Sequence, residues 1–286
     1  MPQTLQALDG ESLLARGVEM LRNAGIESPR REARLLLAHA LGNPADELIS
    51  TRIPVPASKA DAFDALLARR CKHEPLAYIT GSREFWSINF LVAPGVLIPR
   101  PESETLVEAG LRKYPERDAA LRVLDLGTGS GCLLLAFLSE RPHARGLGVD
   151  LSRTALFVAA RNARALSLDR RTRFRRGDWT RGISEQFDIV FANPPYISAR
   201  ELLQLQPDVV HFEPREALDG GEDGLNAYRS IAAGLPSILS SGARVFIETG
   251  QGRAGAVQQI FASAGLTHDG TVSDLAGIPR CVIMRT

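Results

Sequence analysis

The residues best suited to chemistry in this 286-residue chain are Asn193-Pro194-Pro195-Tyr196. They follow Asp188-Ile189-Val190-Phe191-Ala192, an apolar run that reads as a strand buried on both faces. Two consecutive prolines end such a strand, fix its backbone and remove two N–H donors. What remains points acceptors outward: the Asn193 side-chain oxygen and the Pro194 carbonyl, with the flat face of Tyr196 beside them. That set suits a planar NH2 group. An amide or exocyclic amine nitrogen is a poor nucleophile because its lone pair is delocalised. Accepting both of its hydrogens returns electron density to nitrogen and favours the pyramidal geometry of attack, and stacking on Tyr196 fixes its tilt. The remaining rate comes from placing the nitrogen in line with an electrophilic methyl. No carboxylate base is needed beforehand, since the proton leaves once nitrogen is cationic. The plain alternative is a Pro-Pro stop with Asn193 capping the turn.

A second constellation lies upstream. Val123-Leu124-Asp125-Leu126 runs into Gly127-Thr128-Gly129-Ser130-Gly131-Cys132, a strand, a glycine turn and a helix start. Glycines at alternate positions let the backbone approach a ligand closely. The dinucleotide fingerprint Gly-x-Gly-x-x-Gly would need Gly or Ala where Cys132 stands, and no Lys-Ser/Thr pair of a phosphate loop follows. The next strand ends Gly148-Val149-Asp150, about twenty residues on, where an acid accepts both hydroxyls of a ribose. A ligand with a ribose and no pyrophosphate therefore fits better than NAD or ATP, and S-adenosylmethionine is such a ligand. After the third strand, Asp178-Trp179 offers a polar group for an adenine edge and an aromatic for its face, or else a helix cap and a buried Trp.

These residues need a scaffold that brings strand ends together. From residue 102 onward, strands at Arg122–Leu126, Gly146–Val149, Thr172–Arg175, Phe187–Ala192 and Arg244–Glu248 alternate with helices, and two more strands are expected near 266–272 and 280–285. The pattern predicts an open α/β sheet with ligands at the carboxyl ends of its strands. Residues 1–75 read as helices only: Ser12–Ala24, Arg30–Leu41 after the Ser28-Pro29 start signal, and Ser58–Lys72 with Phe63, Leu66 and Leu67 on one face. His39 and His73 read as ordinary packing or surface residues. Between the halves, residues 76–96 predict a β-hairpin linker, with Tyr78-Ile79-Thr80 in one strand, Gly81-Ser82 after it and Phe85–Val92 alternating.

With the motifs in place, the chain resembles the class I amino-methyltransferases that use S-adenosylmethionine. It is more specifically similar to the HemK/PrmC family of peptide chain release factor glutamine methyltransferases. The resemblance rests on Asn193–Tyr196, Gly127–Gly131 and Asp150. It rests further on Arg83-Glu84-Phe85-Trp86, on Leu97-Ile98-Pro99-Arg100-Pro101-Glu102-Ser103-Glu104, and on Glu213-Pro214-Arg215-Glu216-Ala217-Leu218-Asp219-Gly220-Gly221-Glu222-Asp223-Gly224. It covers nearly the whole chain. It implies a Rossmann-like methyltransferase domain over 97–286 and N5-methylation of the glutamine in a release factor's Gly-Gly-Gln loop; the helical domain over 1–75 is expected to dock the protein substrate, since a glutamine loop alone offers little binding surface. S-adenosylhomocysteine is the implied product. By residue match, Gly127, Thr128, Gly129, Ser130, Gly131, Asp150, Trp179 and Asn193 would bind the cofactor, and Asn193, Pro194, Pro195 and Tyr196 would hold the amide. Arg100 and Glu104 would lie near the rim, with no assigned step.

Composition narrows the field. With 34 Lys+Arg against 33 Asp+Glu the net charge is +1, and residues 1–75 carry ten of each sign. Adenine-N6 DNA methyltransferases share the Asn-Pro-Pro-Tyr logic, but they need base flipping and a basic recognition region that this chain lacks. Glutamine methylation of a ribosomal protein remains the nearer alternative. Arg161, Arg164, Arg170, Arg171, Arg173, Arg175 and Arg176 spread over a helix, a turn and a strand, and read as solvated surface. Cys71, Cys132 and Cys281 are too widely spaced for a disulfide framework or zinc ribbon. No apolar run approaches a membrane span, and Met1 to Glu11 lacks the order of a signal peptide. The expectation is a cytoplasmic monomer that needs no metal and binds no nucleic acid directly.

Overall fold

The computed structural model describes residues 8–43 and 54–286. The reading of Met1 to Glu11 therefore falls largely outside the described residues. Two compact units result: the described residues up to Gly81 together with Pro207–Phe212, and Ser82–Gln206 with Glu213–Thr286.

In the first unit, strand β1 (Leu8–Asp9) pairs with β2 (Pro54–Val55), and three helices pack together: α1 (Gly10–Asn23), α2 (Pro29–Leu41) and α3 (Ala57–Arg70). The Asp9 carboxylate accepts from the Ser12 N–H to start α1, Pro29 opens α2, and Gly42 closes it at φ +80°. Leu13, Leu21, Leu36, Leu37, Phe63 and Leu67 fill the interior. A one-turn helix, α4 (Leu76–Thr80), ends the unit's first segment. This corrects the expected strand at Tyr78-Ile79-Thr80. Pro75 supplies the start and Gly81, at φ +75°, the left-handed stop, so the caps override the β-propensity of Tyr-Ile-Thr.

The hairpin exists, but only as β3 (Ser82–Phe85) and β4 (Ile88–Leu91), turned by Trp86 and Ser87 at φ +55° each. Phe85 and Phe90 are buried in the core of the second unit with Leu106, Phe137 and Phe191.

The second unit continues with α5 (Glu104–Lys113), β5 (Arg122–Leu126), α6 (Cys132–Glu140), β6 (Arg145–Asp150), α7 (Arg153–Ala165), β7 (Thr172–Arg176) and β8 (Phe187–Ala192). After β8 the chain forms α8 (Ala199–Leu202) and then α9 (Pro207–Phe212), which belongs to the first unit. Then come α10 (Asn226–Gly234), β9 (Leu239–Glu248), α11 (Ala254–Ser263), β10 (Thr267–Ser273) and β11 (Pro279–Arg285). The seven-stranded sheet runs β10-β11-β9-β8-β5-β6-β7. Its pairs from β9 to β7 are parallel, while β11 lies antiparallel between β9 and β10. Alternate residues feed opposite layers: Leu124 and Leu126 pack towards α10 and α11, Val123 towards α5 and α6.

Candidate active site

β5 sits between β6 and β8, and Leu126 is in register with both Val149 and Ala192. Gly127 and Asn193, which follow β5 and β8, and Asp150, which ends β6, are therefore brought side by side at the point where the chain's strand order reverses. A cavity of about 400 Å³ opens there. Its wall includes Gly127, Thr128, Gly129, Ser130, Asp150, Trp179, Asn193 and Pro195, joined by Ile98, Arg100, Ser103, Gly177 and Glu216. Gly131, Pro194 and Tyr196 are not part of that wall.

The three glycines divide into two tasks. All have positive φ: +72° at Gly127, +54° at Gly129 and +82° at Gly131. Gly127 leaves room for the Trp179 ring, whose Cζ3 would lie 3.3 Å from a Cβ added there. Gly131 faces protein instead. A Cβ at Gly131 would meet Leu135 Cδ1 at 3.1 Å and the Ala159 Cβ at 3.2 Å, so its service is close packing of α6 against α7. The turn's amides are also spent internally. Gly127 and Thr128 donate to the Val149 carbonyl, Gly129 to Asp150 Oδ2 at 2.9 Å, and Gly131 to the Thr128 carbonyl. A pyrophosphate would need such amides free.

Asp150 accepts from the Gly129 N–H on one oxygen and from the Ser152 N–H on the other, at 2.9 and 2.8 Å. Each oxygen keeps a lone pair for a ligand. Burial raises the Asp150 pKa, opposed by these amide donors. Asp178, expected as a possible adenine contact, turns away to pair with Arg181 at 2.9 Å. Trp179, at φ +49°, does reach the wall.

Asn193 Nδ2 donates to Ser103 Oγ at 3.1 Å, and Ser103 Oγ donates to Glu248 Oε2 at 2.5 Å. The Tyr196 hydroxyl lies 3.4 Å from Glu248 Oε1, and its ring packs against Gly250. The Asn193–Tyr196 turn is braced from the other side. Ile197 donates to the Leu218 carbonyl, Gly220 donates to the Ile197 carbonyl, and the Gly224 backbone lies against the Tyr196 carbonyl. Arg100 faces the cavity and pairs with the buried Glu213 at 2.5 Å; Glu213 also accepts from the Ile98 N–H. Glu104, expected near the rim, accepts instead from the Trp86 N–H at 2.7 Å and holds the hairpin turn.

Residues 12–81 match the PrmC N-terminal domain and residues 103–218 the methyltransferase small domain. The release factor glutamine methyltransferase of Rhodospirillum rubrum is 45% identical over 274 residues, covering 96% of this chain and 84% of that protein. Its counterpart in Cereibacter sphaeroides is 42% identical, covering 95% of this chain and 96% of that protein. The chain belongs to the release factor glutamine methyltransferase family. The fold alone is shared with a methyltransferase from Pyrococcus furiosus, 14% identical with a TM-score of 0.53, covering 69% of this chain and 88% of that one.

Four residues of this methyltransferase escaped the motif reading. Asp125 is fully buried; Oδ2 accepts from the Thr128 hydroxyl at 2.6 Å, Oδ1 has no hydrogen-bond partner among the described residues, and burial pushes its pKa up to about 7. Glu248, 1% exposed, is raised to about 7 by burial, with the Ser103 hydroxyl and Arg280 opposing. Ser103 links it to Asn193. Ser103 stands inside a quoted motif, but its partners lie 90 and 145 residues away, so no local pattern marks the pairing. Asn162 is a fourth such case. Its amide accepts from the Leu91 N–H and donates to the carbonyls of Leu91 and Ser130, clamping the hairpin to the glycine turn.

Proposed function

We propose that this methyltransferase transfers the methyl of S-adenosylmethionine to the side-chain N5 of the glutamine in a release factor's Gly-Gly-Gln loop. The observation that carries the reading is the placement of Asn193, just ahead of two prolines, in the wall of the cavity that also holds the glycine turn and Asp150.

The residues present fit S-adenosylmethionine. Asp150 has two lone pairs left for a ribose, and Trp179 offers an aromatic face. The Asp150 carboxylate in the wall makes the surroundings favourable to a cation. Gly127, Thr128, Gly129 and Ser130 would hold the cofactor with Asp150, Trp179 and Asn193, while Gly131 keeps the turn in place. The cofactor, when bound, supplies a methyl on positively charged sulfur.

Asn193 Oδ1 and the Pro194 carbonyl accept the two hydrogens of the substrate amide and orient its nitrogen. The prolines offer no competing N–H donor. Tyr196, held by Glu248, orients the planar amide from outside the cavity wall. The surplus proton leaves to water after nitrogen has become cationic. The helical unit is assigned to docking of the release factor, because a glutamine loop alone offers little surface for recognition. A short Gly-Gly-Gln peptide is accordingly expected to show a KM well above that of the intact factor.

The test is incubation of the purified protein with S-adenosylmethionine and a release factor, ribosomal proteins or DNA, followed by mass spectrometry. One added methyl on the Gly-Gly-Gln glutamine is expected. Methylation of DNA or of a ribosomal protein alone would overturn the reading.

A further inference from the structure

An asparagine amide is nearly symmetric in shape, and rotating it by half a turn exchanges its acceptor for its donor. If Asn193 presented Nδ2 to the substrate, donor would face donor, and the amide would be repelled where it should be held. The strand end and the prolines fix where Asn193 stands without fixing which way its amide points. A neighbouring serine does not settle the choice by itself either, since a hydroxyl donates once and accepts twice.

We infer that Glu248 and Ser103 are positioning residues that set the polarity of Asn193, so that its oxygen rather than its NH2 meets the substrate amide. The inference rests on the proposed amide chemistry and adds residues to it. Glu248 ends β9, Asn193 follows β8 beside it, and Ser103 lies just before α5. Above about pH 7, where Glu248 is ionised, its carboxylate only accepts, and it takes the one proton of Ser103 at 2.5 Å. Ser103 then has only lone pairs to offer Asn193, which must answer with Nδ2, 3.1 Å away. Tyr196 shares the second carboxylate oxygen, so one buried acid governs both ends of the Asn193–Tyr196 turn. Burying a carboxylate is costly unless donors satisfy it, and here the Ser103 and Tyr196 hydroxyls do so.

The inference makes an order of activities that simple packing would not produce. Without an acceptor at 248, the Ser103 proton turns to Asn193 Oδ1 and captures the oxygen meant for the substrate. Glu248→Met should therefore lower kcat on the release factor about a hundredfold, and Ser103→Ala only about tenfold. The double variant should recover to the Ser103→Ala level, because the misdirected proton is gone. Ser103→Thr, which keeps the hydroxyl, should stay within about threefold of the parent. S-adenosylmethionine affinity by calorimetry should change less than about threefold in all four. A double variant as slow as Glu248→Met, or Ser103→Thr no better than Ser103→Ala, would overturn the relay.

A second measurement needs no substrate. In protein labelled with 15N-asparagine, the Asn193 NH2 resonance is assigned by its loss in Asn193→Ala. Its exchange with water should quicken about tenfold or more in Glu248→Met and Ser103→Ala, and stay slow in Ser103→Thr. Unchanged exchange in Glu248→Met rejects the relay. Slow transfer to the release factor by the parent enzyme would instead reject the proposed substrate, and the exchange result would still decide the relay.

Discussion

The carboxylate of Asp150 accepts the backbone N–H of Gly129 at 2.9 Å, so the acid at the end of β6 holds the turn at the end of β5. On the proposed reading the same side chain is thus a ligand group as well as a brace. Asp150→Asn keeps the shape but exchanges an acceptor for a donor facing the Gly129 or Ser152 amide. Its S-adenosylmethionine affinity is expected to fall about ten- to a hundredfold by calorimetry, as for loss of one or two charge-assisted hydrogen bonds. Unchanged affinity would remove Asp150 from the site.

The glycines should separate by readout. Gly131→Ala places a methyl 3.1 Å from Leu135 and 3.2 Å from Ala159 at φ +82°, and should destabilise the fold by roughly 1–3 kcal/mol. At Gly129 an added Cβ finds nothing nearer than the Gly127 carbonyl at 4.0 Å, so Gly129→Ala should carry the backbone strain with little crowding and act more on ligand binding. Thermal melts beside calorimetry check this. Equal melting losses in both variants would contradict the division.

This division shows what the sequence could and could not convey. β5 and β8 occur where their apolar runs begin and end, because a strand buried on both faces tolerates little else. The glycine turn, Asp150 and Asn193 were legible because each stands at the carboxyl end of such a strand. Tyr78-Ile79-Thr80 misled because two capping residues outweighed three β-formers. Gly131 resembles its neighbours in sequence but meets α7, a contact between helices that spacing does not record. Ser103, Glu248 and Asp125 acquire meaning only when chain segments far apart in sequence meet.

Arg100 and Glu213 join two segments of the cavity wall. The Glu213 side chain is almost fully buried and Arg100 is a third exposed. Arg100→Ala leaves that carboxylate with only the Ile98 amide, and should cost roughly 2 kcal/mol of stability. Arg100→Ala/Glu213→Gln should recover part of it. Denaturant unfolding checks the pair; a double variant less stable than Arg100→Ala would count against it.

Glu248 should also leave a mark on stability against pH. Its pKa is about 7 in the folded protein against an ordinary 4.5, so between those values the folded state holds a proton that the unfolded chain has released. Its contribution to stability is full below about 4.5 and is lost as pH rises through 7. The stability of the parent relative to Glu248→Gln should therefore fall between pH 5 and pH 8, on the order of 3 kcal/mol. A difference independent of pH would contradict the buried acid.

The central claim is that Asn193 holds the substrate amide in the cavity wall. The direct measurement compares parent and Asn193→Ala for methyl transfer to a release factor, with S-adenosylmethionine affinity measured on the same preparations. Transfer is expected to fall by about a thousandfold or more, as when a transition-state hydrogen-bonding group is removed, with affinity weakened less than about tenfold. Transfer at the parent rate, or lost only in proportion to cofactor affinity, would contradict it.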